Sequence, residues 1–497
     1  MDSFDPAAIA VHGGHFIGGE RVFDTASQLG HLDVARPSDG IVYASVPLAN
    51  AAMVDRAVEN AWTAWRTSGW ASAAPRERAR ILRRFADLVA ADAATLAPLE
   101  ALGSTRPVRD AYEWDVPFTA EGIRFYAEFA DKTGGHVAAT DHDHLGMTIA
   151  EPYGVIAAIA PWNFPLVMAS WKIAPALAAG NAVVLKPSEM TPFSVLRLAE
   201  LAIEAGVPPG IFNVVQGDGR TTGDALVRHP RIGKVTFTGS TRTGAAIMTA
   251  CAQTGTRPVT LELGGKSPQI VFADAPRLPD VARRIAGAIA SNAGQVCVAG
   301  SRLLVERSIA DELTDAVVRL FGELRAGATW TQGTTLPPIV SEPQAARIDA
   351  IVARSVASGA TVRCGGHRED AGADAPGAFY APTILAGVTS STEAVREEIF
   401  GPVLTLQTFD SEEEALALAD HPDYGLAAGL HTADLGRALR MVRRIEAGTV
   451  WVNRYGRTRD FMIPTGGYKR SGIGKDLGRE AYEANLRFKS VLIDARV

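Results

Sequence analysis

Val155-Ile156-Ala157-Ala158-Ile159-Ala160-Pro161-Trp162-Asn163 opens the stretch that decides the fold. A short apolar run stopped by proline reads as a strand buried on both faces, the kind found in parallel sheets. Three more follow: Ala182-Val183-Val184-Leu185, Ile211-Phe212-Asn213-Val214-Val215 and Lys234-Val235-Thr236-Phe237-Thr238. Helix-like segments lie between them, up to Leu177, from Pro192 to Ala205 and near Gly223–Arg228. Strands alternating with helices imply right-handed βαβ units around a parallel sheet. Such sheets bind ligands outside the C-terminal ends of their strands. Here those ends carry Pro161-Trp162-Asn163, Lys186-Pro187-Ser188-Glu189, Gln216-Gly217-Asp218-Gly219 and Gly239-Ser240. The region from Gly154 to Thr260 thus reads as a nucleotide-binding core.

A second α/β block follows Glu262. Its elements are a helix over Pro279–Ala293, a strand at Arg302–Val305, a helix over Ala345–Ser358 and a buried strand at Gly448–Asn453. Upstream, His15–Val22 reads as a hairpin turning at Gly18-Gly19. Ala49–Trp65 and Arg76–Ala91 carry helical apolar faces, so the opening third is expected to be largely helical. Glu369–Gly377 reads as a surface loop.

A chain of 497 residues exceeds a single core and predicts two or three domains. Its 47% hydrophobic and 21% charged residues exclude a disordered or fibrous chain. The net charge of −6 leaves no basic surplus for nucleic acid. Three widely spaced cysteines, Cys251, Cys297 and Cys364, exclude a disulfide scaffold and a thiolate zinc site, and no metal is expected. Met1–Ala10 does not resemble an export signal, and Leu166–Leu185 is broken by Lys172, Pro175 and Gly180-Asn181. The expectation is a cytoplasmic protein without a membrane partner.

Several segments could carry chemistry. Gly239–Gly244 joins a strand to a helix, the setting in which backbone N–H groups hold a phosphate. Gly217, Gly219 and Gly223 form a looser glycine set; on motif alone both clusters could be plain turns. Lys186 beside Glu189 could hold ribose hydroxyls or form a solvated ion pair. Cys297 sits in a glycine-flanked loop, Gly294-Gln295-Val296-Cys297-Val298-Ala299-Gly300, either as a reactive thiol or as a small buried hydrophobe. Glu262, between leucines, could have a raised pKa and accept protons, or pair with Lys266. Asp141–His144 reads as a solvated strand end rather than a metal site.

Together these segments resemble the aldehyde dehydrogenase superfamily over nearly the whole chain. The matching motifs, in order, are Pro161-Trp162-Asn163-Phe164-Pro165, Lys186-Pro187-Ser188-Glu189, Phe237-Thr238-Gly239-Ser240 to Gly244, Glu262-Leu263-Gly264-Gly265-Lys266, Gly294-Gln295-Val296-Cys297, and Glu397-Glu398-Ile399-Phe400-Gly401-Pro402-Val403. The resemblance implies two Rossmann-like parallel-sheet domains, one for cofactor and one for catalysis, plus a small β oligomerisation flap. It assigns 1–130 and 153–260 to the cofactor, 261–480 to catalysis, and 131–152 with 481–497 to the flap. A homodimer or homotetramer is implied.

The implied reaction oxidises a small-molecule aldehyde to the acid with NAD, or alternatively NADP. Cys297 would form a thiohemiacetal and then a thioester. Asn163 and the Cys297 N–H would hold the oxyanion. Glu262 would activate the hydrolytic water, and Lys172 would assist proton relay. The presence of Glu262 favours hydrolysis over transfer to coenzyme A. Cofactor contacts fall to Ile159, Pro161, Trp162, Lys186, Ser188, Glu189, Gly219, Gly223, Phe237, Gly239, Ser240, Gly244, Leu263, Glu398 and Phe400. The substrate pocket would comprise Phe164, Met168, Trp171, Val296, Val298, Phe461 and Thr465, suiting a medium-sized aromatic or aliphatic aldehyde. Thr465 replaces a phenylalanine common in the family and would widen the pocket. Arg457 or Arg459 could pair with an anionic substrate; an ion pair with Asp460 or a subunit contact is the favoured reading. A cofactor-independent thiol esterase and a non-catalytic relative are the alternatives.

Overall fold

The computed structural model describes residues 1, 3–23 and 30–496. Positions 2, 24–29 and 497, which fall in the expected cofactor and flap segments, lie outside the described residues. The expected parallel core is present. Five parallel strands run in the order Phe212–Val214, Ala182–Lys186, Val155–Ile159, Ile232–Thr238 and Val259–Glu262. Every residue of Ala182–Lys186 is buried, as a strand in the middle of a covered sheet requires. From Val155–Ile159 the chain steps outward through helices Pro165–Ala178 and Phe193–Ala205. It then returns to the other side through Asp224–Arg228 and Thr241–Thr254. The direction of winding therefore reverses between Val155–Ile159 and Ile232–Thr238. The C-terminal crevice at that reversal is where such sheets take ligands.

Two antiparallel additions close the edges. The hairpin His15–Ile17 with Glu20–Val22 turns at Gly18 and Gly19, whose φ of 68° and 88° suit glycine, and docks through Phe16 on Val214. Gly472–Ile473 pairs with Leu261 and Glu262 at the other edge. The opening third is not purely helical: His31–Ala35, with alternating exposure, and Val42–Pro47 form a two-stranded sheet.

The second sheet has seven strands, ordered Thr361–Cys364, Thr383–Ala386, Val403–Phe409, Arg302–Glu306, Pro268–Val271, Ala427–His431 and Thr449–Val452. All neighbours are parallel except the first pair. Glu262 ends the last parallel strand of the first sheet, and Pro268 begins an interior strand of the second. Leu263–Ser267 make the first crossing between them, and the chain returns between Val452 and Gly472. The C-terminal ends of the first sheet therefore meet the N-terminal ends of the second.

A third, antiparallel sheet pairs Leu486–Asp494 with His144–Pro152 over nine residues and adds Val137–Ala138. Asp141–His144 is an exposed turn at its edge, with His144 Nδ1 2.7 Å from Asp141 Oδ1. Among the described residues no helix is long and apolar enough to cross a membrane.

Leu185 is fully buried in the central strand that positions Lys186. Leu185→Ala leaves a cavity there and should cost about 2–5 kcal/mol. A urea midpoint equal to that of the wild-type protein would contradict this account of the core.

Candidate active site

Helix Leu278–Ala290 ends at Ser291, and the next three residues turn left-handed: Asn292 at φ 51°, Ala293 at 51° and Gly294 at 73°. Left-handed Ala293 is strained by about 1–2 kcal/mol. Surrounding bonds hold it. Thr105 Oγ1 donates to Asn292 Oδ1 at 2.7 Å. Gln295 Nε2 donates to Asn292 O at 2.9 Å and to Pro338 O at 3.0 Å, while Val340 N donates to Gln295 Oε1 at 2.8 Å. A side chain at Gly294 would lie 2.1 Å from Gly401 O, so glycine is required. This turn places Cys297, half-buried, in the wall of a cavity of about 1220 Å³.

Asn163 lies beside it. Its Nδ2 donates to Gln295 O at 2.9 Å, and Asn292 Nδ2 donates to Asn163 O at 3.1 Å. An amide nitrogen carries two N–H groups, so the second remains for a ligand oxygen. Burial pushes the Cys297 thiol up to about 11; the Arg457 cation opposes that, and Glu262 and Glu398 add to it.

Phe164, Met168, Trp171, Val296 and Val298 line the cavity as expected. Phe461 and Thr465 do not. Phe461 is buried against Phe118 and Phe125, with ring centroids at 4.6 and 5.7 Å. Thr465 is buried behind Arg457 and accepts from its guanidinium at 2.6 Å, so it does not widen the pocket. Of the readings of the basic loop, the ion pair with Asp460 is absent among the described residues. Arg457 lines the cavity instead of pairing with Asp460, and Arg459 donates to Glu113 O at 2.9 Å.

Glu262 is buried at the strand end, just behind the cavity wall formed by Leu263 and Gly264. Its Oε1 has no hydrogen-bond partner. Burial and the neighbouring Asp476 carboxylate hold its carboxyl well above the usual range, against the pull of Lys172. Lys266 is not its partner. That side chain is buried elsewhere, near Arg302 and Glu398, and burial depresses its ammonium to about 7. Lys172 does not reach the cavity: its ammonium pairs with Asp476, both buried.

A second slot of about 360 Å³ opens at the winding reversal of the first sheet. Ile159, Pro161, Trp162, Lys186, Ser188, Glu189, Gly219, Gly223, Phe237, Gly239 and Ser240 line it. Lys186 Nζ, buried, donates to Pro187 O at 2.8 Å and lies 3.4 Å from Glu189 Oε2, so the pair is anchored on the protein side. Gly244 is not part of it: a side chain there would run into Leu263, 2.7 Å away, so this glycine serves helix packing. Pro161, Trp162, Gly239 and Ser240 border both spaces, and Leu263, Glu398 and Phe400 border the larger one. Gly265 N donates to Glu398 Oε1 at 2.9 Å, and Phe400 meets Trp162 edge-on with centroids 5.4 Å apart.

The model of the family described as "Aldehyde dehydrogenase family" matches residues 23–491. This chain belongs to the aldehyde dehydrogenase family. It is 41% identical over 486 residues to the Escherichia coli K12 NADP/NAD-dependent aldehyde dehydrogenase PuuC, covering 98% of this chain and 96% of that protein. The P. syringae indole-3-acetaldehyde dehydrogenase AldA, solved with NAD+, superimposes with a TM-score of 0.95 at 42% identity, covering 98% of both chains. A γ-glutamyl-γ-aminobutyraldehyde dehydrogenase from Burkholderia cenocepacia gives 0.95 at 41% identity, covering 99% of this chain and 98% of its own.

In this family member, sequence reading missed residues of two kinds. Thr243, Ala246, Ile247 and Ala250 line the small slot from one face of helix Thr241–Thr254. Their helical spacing was visible, but it reads equally as core. Gln344 and Arg347 carry no local signal at all. They hold the Glu398–Phe400 loop by donating to the carbonyls of Glu398, Ile399 and Phe400 at 2.8–3.1 Å, where Phe400 sits at a φ of 55°.

The raised thiol pKa gives a direct prediction for the aldehyde dehydrogenase without cofactor. The thiolate is the species that alkylates, so modification of Cys297 by iodoacetamide should rise about tenfold per pH unit between pH 7 and 10. Mass spectrometry of the Cys297 peptide follows it. A plateau reached below pH 9 would overturn the assigned environment.

Proposed function

We propose that Cys297 is the nucleophile of an NAD-dependent, hydrolytic aldehyde oxidation, with Asn163 and Glu262 as its partners. The observation that carries this reading is positional. One continuous cavity has Cys297 and Asn163 in its wall and shares Pro161, Trp162, Gly239 and Ser240 with the slot at the sheet's winding reversal.

The slot's chemistry fits a dinucleotide. Val227, Ile247 and Ala250 offer an apolar face for a base, and Lys186 with Glu189 offers a donor and an acceptor for ribose hydroxyls. The N-terminus of helix Thr241–Thr254 suits a phosphate. Glu398 and Phe400 would hold the nicotinamide-side ribose. Bound NAD supplies the hydride acceptor. A carboxylate at Glu189 disfavours the extra phosphate of NADP, which stays the alternative cofactor.

The protein's part follows from its groups. Cys297 gives up its proton to solvent and as the thiolate attacks the aldehyde carbon, and the oxygen becomes an oxyanion held by the second Asn163 N–H and the Cys297 backbone N–H. Loss of hydride leaves a thioester on Cys297. Glu262 turns from behind the wall, takes a proton from water, and the hydroxide displaces the thiolate to release the carboxylic acid. Lys172, held on Asp476, acts on Glu262 through its field rather than by contact. We place the enzyme in the cytoplasm as a homodimer or homotetramer joined through the third sheet, where Phe488, Leu492 and Ile493 are exposed and apolar. The segments 1–130 with 153–260, 261–480, and 131–152 with 481–497 are the proposed cofactor, catalytic and flap domains. The thiol-esterase and non-catalytic alternatives offer no reason for the dinucleotide-like slot.

Cys297→Ala should lower NADH production at least about a thousandfold. Retained cofactor binding, followed by fluorescence, separates this from unfolding, and turnover like the wild-type rate would sink the assignment. Glu262→Gln should release one rapid equivalent of NADH and then stall, because the thioester forms but is not hydrolysed; sustained turnover excludes Glu262 as the base. In the wild-type enzyme the hydrolytic step should quicken as pH rises through neutrality, since burial raises the pKa of Glu262 and only its carboxylate accepts a proton.

A further inference from the structure

Aldehyde oxidation by Cys297, Asn163 and Glu262 gives Arg457 no task, yet its guanidinium lines the same cavity. Its Cζ lies 4.6 Å from the centre of the Trp171 ring, and one N–H group donates to Thr465 Oγ1 at 2.6 Å. Thr465 is its hydrogen-bond acceptor among the described residues. No described carboxylate lies within 4.0 Å of it, the limit for an ion pair. Burial lowers its pKa, and Cys297, Glu262 and Asp476 oppose that from farther away. Of the buried cations in this region, Arg106 and Lys172 have carboxylate partners, whereas the Lys266 ammonium has no hydrogen-bond partner among the described residues. Arg106 meets Asp115 through two bonds, at 2.8 and 3.2 Å, and Lys172 pairs with Asp476.

A guanidinium has five N–H donors in a fixed plane that matches a carboxylate two bonds at a time. Removing such a cation from water without a counter-ion is costly unless an anion arrives. Trp171 fixes the plane from one face, and Thr465 fixes one edge. Where the family commonly has phenylalanine, Thr465 supplies the acceptor that a phenyl ring lacks. Thr465 and Arg457 therefore form one device, and the remaining N–H groups are left for a ligand in the cavity.

We propose that Arg457, oriented by Trp171 and Thr465, receives a carboxylate carried by the aldehyde substrate, so that this enzyme selects oxo-acids over neutral aldehydes. The inference rests on the aldehyde-oxidising reading above and adds the substrate class to it.

The test compares 4-oxobutanoate and 5-oxopentanoate with 4-oxobutanamide and 5-oxopentanamide, which keep the length and lose the charge. Wild-type kcat/KM should favour the oxo-acids by about a hundredfold. Arg457→Gln should cost the oxo-acids about a hundredfold, chiefly in KM, and the amides about threefold. Thr465→Val should cost the oxo-acids about tenfold. A wild-type enzyme without preference for the charged members overturns the proposal, whatever the variants do. So does an equal loss on both classes in Arg457→Gln, which together with slower Cys297 alkylation would make Arg457 a partner of the thiol. NADH or NADPH production from none of the four aldehydes, nor from simple alkyl and aryl aldehydes, would instead overturn the reading on which this one rests.

Discussion

The site depends on one buried amide, Gln295. Its side chain reaches the Asn292 and Pro338 carbonyls and accepts from Val340 N, and its own carbonyl accepts from Asn163. A buried amide with its groups satisfied is rigid, because any shift would leave a polar atom without a partner. Gln295 therefore fixes the strained Asn292–Gly294 turn to the segment around Val340. It also fixes Asn163, which comes from the first sheet, against the cysteine loop. The placement of Asn163 against the Cys297 loop is set by this bond network, and the strain at Ala293 persists because the network over-determines it.

The electrostatics of the cavity point in one direction. Burial raises the Cys297 thiol, the Glu262 carboxyl and the Glu398 carboxyl, the last to about 7. Three acids that would repel one another as anions are thus eased toward neutral forms, two in the cavity wall and Glu262 just behind it. Cations oppose this rise: Arg457 at Cys297, Lys172 and Arg457 at Glu262, and Lys266 with Arg347 at Glu398. The presence of Arg457 lowers the thiol and links substrate charge to the reactivity of the nucleophile: an anion bound there would partly cancel the help it gives to Cys297.

Much of the first sheet was legible, since Val155–Ile159 and Ala182–Leu185 are continuous apolar runs closely followed by proline, and Ile232–Thr238 runs into Gly239. Backbone-level motifs at their ends were legible for the same reason: a glycine or proline marks a turn. Side-chain direction was not. Gly244 in the phosphate-turn motif reads the same whether it admits a ligand or the Leu263 side chain. The loop from Arg454 to Pro464 has no periodicity, so nothing in it tells that Phe461 turns into the core while Arg457 turns into the cavity. Nor does the rule about C-terminal strand ends foresee the second sheet. Cys297 and Glu398 precede its strands Arg302–Glu306 and Val403–Phe409, so the chemistry enters from N-terminal ends.

The five residues between Glu262 and Pro268 have a consequence for how such a protein can be recombined. They are the seam between the two sheets, and they also hold part of the cavity wall. Gly264 leaves no room for a side chain beside Glu398, and Gly265 is bonded to that carboxylate. A chimera spliced at this seam would inherit Glu262 from one parent and Cys297 from the other, the proposed base and nucleophile. The two halves would have to agree on the fit of two glycines against one glutamate before any catalysis returned. Modular exchange of cofactor and substrate preference between relatives is therefore limited at its natural joint.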